Sequence, residues 1–533
     1  MLNTATIPLK DTLAVEGLDP VQLVELIHAQ AQTITALTQQ IHGFKHQLDW
    51  FKRQLFGTKS ERLLPNPQQM HLGEIFPAPS TPAAEQRKIV PAHSRRVPSR
   101  DVPDDVDAVP FFDETRVPVQ TIAVPNPEAE GLAPEQYTVI GEKASFRLAQ
   151  RPGSYVVLKY VRPVIKRLDT QAISCPPAPV GVLQGSRADV SFVAGLVVEK
   201  MAYHLPLYRQ HLRLSDAGIT VSRPWLTQLV QQGTSLLAPI YESQLDSIRS
   251  SRIIAMDETP IKAGRVAPGK MKTTYFWPVY GERDEVCFPW FASRSTESVY
   301  QALGLAKAPG TVLLSDGYRA YEQYAKKTGV THAQCWSHCR RTFFEAQDAE
   351  PDAALQALTM IGELYAVEEQ IREGKLAGEN KRLHRLLHSK PQVDAFFDWV
   401  DRQFERQGLL PSNPLTKALA YARERRGGLE VFLTDPEVPI DTNHLERALR
   451  PIPMGRKAWL FFWTELGAKY VGIAQSLIVT CRLHHIDPYT YLVDVLQRVG
   501  QHPAARVAEL TPRLWKQHFS ANPLRSDLHA CTH

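Results

Sequence analysis

Three carboxylates stand where a two-metal phosphodiester site would need them. Asp257 closes the apolar run Ile253-Ile254-Ala255-Met256, and Asp316 closes a second, Thr311-Val312-Leu313-Leu314-Ser315. Glu446 lies in the polar stretch Asn443-His444-Leu445-Glu446-Arg447-Ala448-Leu449-Arg450. A diester's negative charge repels an attacking oxygen, and two divalent cations about 4 Å apart overcome this by activating the nucleophile and stabilising the leaving oxygen. Hard Mg2+ or Mn2+ prefers carboxylate oxygen and water. The expected site therefore holds two such ions, bridged by Asp257, with Asp316 and Glu446 each completing one shell. Strand alternation would turn the adjacent Glu258 to the opposite face and give it a supporting role. Two aspartates at strand ends also serve as simple caps, so the third region carries the weight.

On a helix, Asn443, Glu446, Arg447 and Arg450 fall at i, i+3, i+4 and i+7, and one face presents an amide, a carboxylate and two guanidiniums. Guanidiniums beside a carboxylate suit the gripping of phosphates. The segment Gly455–Trp459 reads as a following loop that adds Arg456, Lys457 and Trp459. Between the second and third carboxylates lie Cys335 and His338, with His332 and Cys339 nearby. Zinc sites draw on two separated ligand pairs; these four residues are crowded together, so no zinc is expected there. Arg340 and Arg341 are candidate phosphate contacts.

The elements that must position these groups follow from pattern. At 533 residues the chain exceeds one core, and a net charge of +5 leaves any affinity for polyanions to local patches. Six cysteines in so long a chain fit a reducing compartment rather than a disulfide scaffold. The opening Met1–Asp11 lacks a secretory pattern and no apolar run is long enough to span a bilayer, so a cytoplasmic, nucleoid-associated protein is expected.

Residues 1–18 read as a flexible N-terminus. Over 19–62, Ile27, Ile34, Ile41, Leu48 and Leu55 recur every seventh residue, with Leu23, Leu37, Phe44 and Phe51 on a second seam. This predicts a coiled coil that makes a homodimer, against a lone amphipathic helix. Residues 63–136, rich in Pro, Ala and acids, read as a linker or partly disordered arm; its basic cluster, His93–Arg96 with Arg100, reads as a solvated stretch in preference to a phosphate contact. Residues 137–185 alternate as a small β module. Residues 186–245 are helical, and Leu205–Asp216, a turn, then Val221–Gln232 resemble a helix-turn-helix. Ser222 is its N-cap and Arg223 stands where base or phosphate contacts fall, although many such hairpins bind nothing. From 250 a three-stranded meander, a helix near 295–306 and a fourth strand give the opening order of a ribonuclease-H-like fold. Residues 346–430 are a charged helical insertion. Within 483–533, Asp487-Pro488 start a helix.

The blocks DETP (257–260), SDGYRAY (315–321), CWSHCRR (335–341) and NHLERALRPIPMGRKAWLFF (443–462) together resemble the IS66 family of insertion-sequence transposases. So do LPLYRQ (205–210), RLHHIDPYTYLVDVL (482–496) and the LFGTKSER end of the first helix, and the likeness covers nearly the whole chain. It implies a multidomain α/β protein with a ribonuclease-H-like DDE core over 250–345 and 431–482. Asp257, Asp316 and Glu446 would be the catalytic, metal-binding triad, with Cys335, His338 and Trp459 supporting the active site. The expected partners are the element's inverted repeats, target DNA and accessory proteins of the same element. IS66-type chains commonly carry a cysteine-rich zinc module before LPLYRQ; here 137–185 holds only Cys175, which implies a metal-free remnant. The competing readings are a catalytically silent DNA-binding regulator of the same element and a structure-specific nuclease.

Overall fold

A computed structural model describes residues 111–529, save 152, 268, 406–410, 460, 461 and 463. The expected coiled coil over 19–62 and the linker up to 110 lie outside the described residues. From 111 onward the segment read as linker carries structure, because it is less polar than its composition suggests. Phe112 and Val117 are buried. Phe112 bridges Ile219, and the Thr220 N–H donates to the Phe111 carbonyl at 2.8 Å.

Strand β1 (Val119–Ala123) then runs parallel to β3 (Ser154–Arg167), which pairs antiparallel with β2 (Tyr137–Arg151) and with the short β4 (Ile173–Ser174). One face of this hairpin buries Leu148 and Val157 in the main core. The other buries Ala149, Val156, Leu158 and Tyr160 against Leu528 from the C-terminal end of the chain.

Four helices follow: α1 (Val190–Met201), α2 (Leu207–Asp216), α3 (Arg223–Leu236) and α4 (Ala238–Arg249). Helix α1 is apolar almost all round and correspondingly buried. Asp189 caps it by accepting from the Ser191 N–H at 2.8 Å. The α2–α3 pair is the helical hairpin expected from the sequence, with Ser222 capping α3 through the Trp225 N–H at 3.3 Å. Its turn needs Gly218, which sits at φ +85° where Cβ atoms of Asp113 and Arg116 already stand 3.3 Å from a side-chain position.

The expected meander is instead six strands in two sheets. The run from Ile253 breaks at Asp257-Glu258 into β5 (Ile253–Met256) and β6 (Thr259–Ala267). Pro278 separates β7 (Lys270–Phe276) from β8 (Val279–Gly281), and Pro289 separates β9 (Glu285–Cys287) from β10 (Trp290–Phe291). Proline donates no ladder hydrogen bond, so each expected strand leaves one sheet there and enters the other. Strands β6, β7 and β10 form a small antiparallel sheet.

The remaining strands join β11 (Val312–Ser315) and β12 (Thr331–Gln334) in a five-stranded sheet of order β12-β11-β5-β8-β9. In it β5, β11 and β12 are parallel, while β8 and β9 continue antiparallel. Helices α5 (Thr296–Leu303), α6 (Arg319–Thr328) and α7 (Trp336–Phe344) connect and flank these strands. The helical insertion includes α8 (Pro351–Glu373), α9 (Lys390–Phe404) and α10 (Pro414–Glu424). It closes around the buried Trp336, whose ring meets Phe396, Phe397 and Phe432 edge-on or tilted.

After the insertion come α11 (Asn443–Leu449), α12 (Pro451–Trp459), α13 (Glu465–Leu483) and α14 (Pro488–Arg498). Helix α13 covers the edge strand β9. Its Gly472, Ser476 and Thr480 lie one turn apart on one face, and the two hydroxyls accept from the Phe288 and Val286 N–H groups at 2.9 and 3.2 Å. Those edge donors are thereby satisfied rather than left to recruit another strand. Asp487 caps α14 through the Thr490 N–H at 2.9 Å, with Pro488 in the first turn. Among the described residues no helix is long and apolar enough to cross a membrane.

Candidate active site

Strands β5 and β11 are hydrogen-bonded neighbours, so Asp257 and Asp316, each one residue past a strand end, emerge side by side at one edge of the sheet. Backbone donors fix both carboxylates. Asp257 accepts from the Glu258 N–H at 2.8 Å, and Asp316 accepts from the Tyr318 N–H at 2.9 Å. Burial, with the charge of Glu258 next and that of Asp316 behind it, pushes the Asp257 carboxyl up to about 7.

Glu258 is not turned away as strand alternation would have it, because the chain is already out of the ladder at 257–258. Its carboxylate accepts from the Tyr321 hydroxyl at 2.5 Å and from Arg294 Nε at 2.8 Å, and it lies within electrostatic reach of Asp316. Arg294 also stacks on the Tyr318 ring, 4.2 Å from its centroid. The sequence reading passed over Arg294, Tyr318 and Tyr321. The SDGYRAY block contains the two tyrosines, but only the fold brings Arg294 to them.

Gly317, after Asp316, is held from the insertion. Its N–H donates to the Tyr421 hydroxyl at 3.1 Å and its carbonyl accepts from Arg425 at 3.2 Å. A side chain at 317 would place its first carbon 2.3 Å from Arg425 and 2.8 Å from Tyr421, so the approach requires glycine.

The third carboxylate arrives by another route. Cys335 follows β12, and its N–H donates to the Ser315 carbonyl at 3.1 Å. Its buried sulfur accepts from the Thr442 N–H at 3.3 Å and lies 3.2 Å from the Thr442 hydroxyl. Thr442 is the residue before α11, so the thiol ties the Glu446 helix to the strand edge that carries Asp316. One turn further on, His338 Nε2 stands 4.0 Å from Glu446 Oε1. Burial pulls the His338 imidazole down. The neighbouring Cys335, with Asp316 and Asp257 behind it, outweighs that and holds it at about 9. His338 is thus the common neighbour of all three acids. Among the described residues no three His, Cys, Asp or Glu side chains converge closely enough to hold one ion.

The basic residues named from sequence divide into several groups. Arg223 opens α3 on the surface, 5.8 Å from the Tyr208 ring of α2. Arg340 and Arg341 are exposed on α7, and Arg341 pairs with Glu345 at 3.0 Å. On α11, Asn443 is spent on Asp441, to which its side chain donates at 2.5 Å, while Arg447 and the C-cap Arg450 are exposed. Gly455–Trp459 is helix α12, not a loop: Pro451 and Pro453 sit in its first turn, where proline costs no hydrogen bond. In it Arg456 donates to the Pro260 carbonyl of β6 at 2.6 Å and serves as a brace, whereas Lys457 is exposed. Trp459 folds back over Gly455 and meets His204 and Phe462, 5.8 and 5.7 Å between ring centres. It packs beside the site's scaffold rather than against the acids.

Residues 185–470 match the family model described as Transposase IS66 family, and residues 476–513 match the IS66 C-terminal element. Residues 43–105, outside the described part, match a model described as Transposase C of IS166 homeodomain. Similar proteins from Sinorhizobium fredii (strain NBRC 101917 / NGR234) include the uncharacterized proteins y4hP and y4qI. The first is 28% identical over 507 residues, 89% of each chain. The second is 30% identical over 393 residues, 70% of this chain and 71% of its own.

Proposed function

Since the chain belongs to the IS66 transposase family, we propose that it binds the terminal inverted repeats of an insertion sequence, cleaves their 3′ ends and joins them to target DNA. One observation carries this reading: Asp257 and Asp316 leave adjacent parallel strands together, and Glu446 is tethered to the same edge with His338 between it and them. A ribonuclease-H-like core is supported by the large sheet. Its first three strands in chain order run antiparallel, and its last two join parallel to the first, on the opposite side.

The donor set suits Mg2+ or Mn2+. Asp257 is raised to about 7 by burial and by like charge, and positive charge at this spot would relieve both. Asp257, Asp316 and Glu446 would hold a pair of such ions, which when bound supply an activated water and a Lewis acid for the leaving oxygen. Around them the chain's own groups divide the work. Tyr321 and Arg294 hold Glu258 beside Asp257, Tyr421 and Arg425 fix the turn after Asp316, and His338 balances the negative charge of the cluster. Arg340, Arg447, Arg450 and Lys457 are exposed on the elements that flank Glu446 and present cations for phosphates. Arg223 and the α2–α3 hairpin offer a second DNA contact, with homodimerisation through 19–62 completing the assembly.

The test is incubation of the full chain with Mg2+ and linear DNA ending in the element's inverted repeats. New 3′-hydroxyls at the repeat boundary and joined products are expected. Cleavage scattered without regard to the repeats would leave a structure-specific nuclease in place of a transposase, and specific binding without any cleavage would leave a regulator.

A further inference from the structure

A cleft of about 730 Å³ opens between α8 and the segment that leads into the Glu446 helix. Tyr365 and Arg372 of α8, Lys375 just after it, Lys381, and Asn443 and Arg447 of α11 line it. Its acids are already engaged. Glu368 is held by the buried Arg385 at 2.7 Å, Glu369 pairs with Arg372 at 3.3 Å, and Asp441 accepts from Asn443. Lys375, Lys381 and Arg447 form no ion pair with any described residue, so the balance of the cleft is cationic. The Tyr365 ring forms one wall, its hydroxyl beside the Asp441 carboxylate.

The volume falls within the roughly 300–1,000 Å³ of small-ligand sites, enough for a stretch of single strand and too little for a duplex. A cationic groove with an aromatic wall is the arrangement that tracks a single strand's backbone. Its place in the fold sets it beside the carboxylate centre. Asn443 and Arg447, one turn apart on α11, face the cleft, while Glu446 between them reaches His338.

We propose that this cleft binds the phosphate backbone of a single DNA strand leading away from the carboxylate centre. The inference rests on the reading of the chain as a DNA strand-transfer enzyme, and it makes the helical insertion part of that enzyme's DNA grip. Lys375 and Lys381 contact phosphates, and the Tyr365 ring supplies the aromatic wall.

The probe is a short fluorescein-labelled single-stranded oligonucleotide, titrated by anisotropy against the full chain at several salt concentrations. The double variant K375E/K381E should bind at least about tenfold more weakly, with the slope of log affinity against log salt reduced by about 1.4, as for two lost single-strand phosphate contacts. K516E, outside the cleft, should leave both unchanged. Photo-cross-linking of a bromodeoxyuridine version to the wild-type chain should label peptides containing Tyr365 or Lys375, and this arm decides the matter if the double variant melts early. Unchanged affinity and slope in a folded double variant, cross-links confined to other regions, or equal competition by polyglutamate would overturn the proposal. D257N separates the two readings, because it should lose cleavage and keep this binding. A wild-type chain that binds the oligonucleotide through the cleft yet never cleaves repeat ends would sink the transposase reading and leave the cleft standing.

Discussion

The two aspartates and the glutamate are held by different physics. Asp257 and Asp316 extend from strands locked into a parallel ladder, and each carboxylate accepts a local backbone N–H. Glu446 rides on a seven-residue helix beyond a long insertion, with its carboxylate about half exposed. The segment before it is tied to the end of β12 by one backbone bond, from the Trp336 N–H to the Ile440 carbonyl at 3.1 Å, and by the Cys335 sulfur, which accepts from Thr442. A continuous backbone ladder fixes a position to within the sheet's own rigidity, whereas two isolated bonds ahead of a short helix, and a flexible glutamate side chain at its end, leave the carboxylate room to shift. The first pair is therefore a built platform and the third acid an adjustable arm.

Removing an acid should erase the difference between platform and arm. D257N, D316N and E446Q should each lower cleavage by several kcal/mol of transition-state stabilisation, roughly a thousandfold or more, with binding of repeat ends retained in a gel-shift assay. An asymmetric outcome, with E446Q still cleaving, would reduce the arm to scaffold.

The platform's titration gives the next largest effect. Burial, and then the neighbouring carboxylates, raise Asp257 from 3.8 to about 7. The folded chain thus holds this proton more tightly than the unfolded chain does, and the metal-free protein loses stability as pH climbs from about 4 through 7. D257N escapes that loss. By calorimetry in EDTA it should be more stable than wild type by about 2–4 kcal/mol at pH 8, with the gain gone near pH 4. A gain that does not vary with pH would contradict the buried, like-charged setting.

Cutting the tether sharpens the contrast. C335A leaves the Thr442 N–H without its sulfur acceptor and should cost about 1–3 kcal/mol of stability. It should also cost about 10–100-fold in kcat, the usual penalty for losing a group that orients a ligand, with little change in KM. Serine at 335 restores an acceptor and should recover much of the rate. The smallest effect tests the platform's own brace: G317A forces Arg425 and Tyr421 aside and should cost about 1–3 kcal/mol by overpacking, read as a lower midpoint in urea.

What could be read in the sequence follows the same division. The apolar runs that end in Asp257 and Asp316 are local signals, and so are the caps Ser222 and Asp487. The strands and helices they mark stand where pattern puts them. The splitting of the meander into two sheets was less visible, because Pro278 and Pro289 interrupt runs that remain strand-like on both sides. Helix α12 was hidden by its prolines and glycine, which read as loop until Trp459 is seen packed over Gly455. Long-range partners gave no signal at all. Arg294 with Glu258, Tyr421 and Arg425 with Gly317, and Cys335 with Thr442 are pairings that only tertiary structure supplies. The heptads of 19–62 lie outside the described residues.

The most direct test of the account is single-turnover cleavage of a repeat-end duplex in Mg2+ by wild type, D257N and E446Q side by side. The account predicts 3′-end cleavage at the repeat boundary by wild type and loss of it in both variants to the same background, with all three binding the duplex alike. Cleavage by E446Q at the wild-type rate would show that the arm carries no chemistry and that the three acids do not form one site.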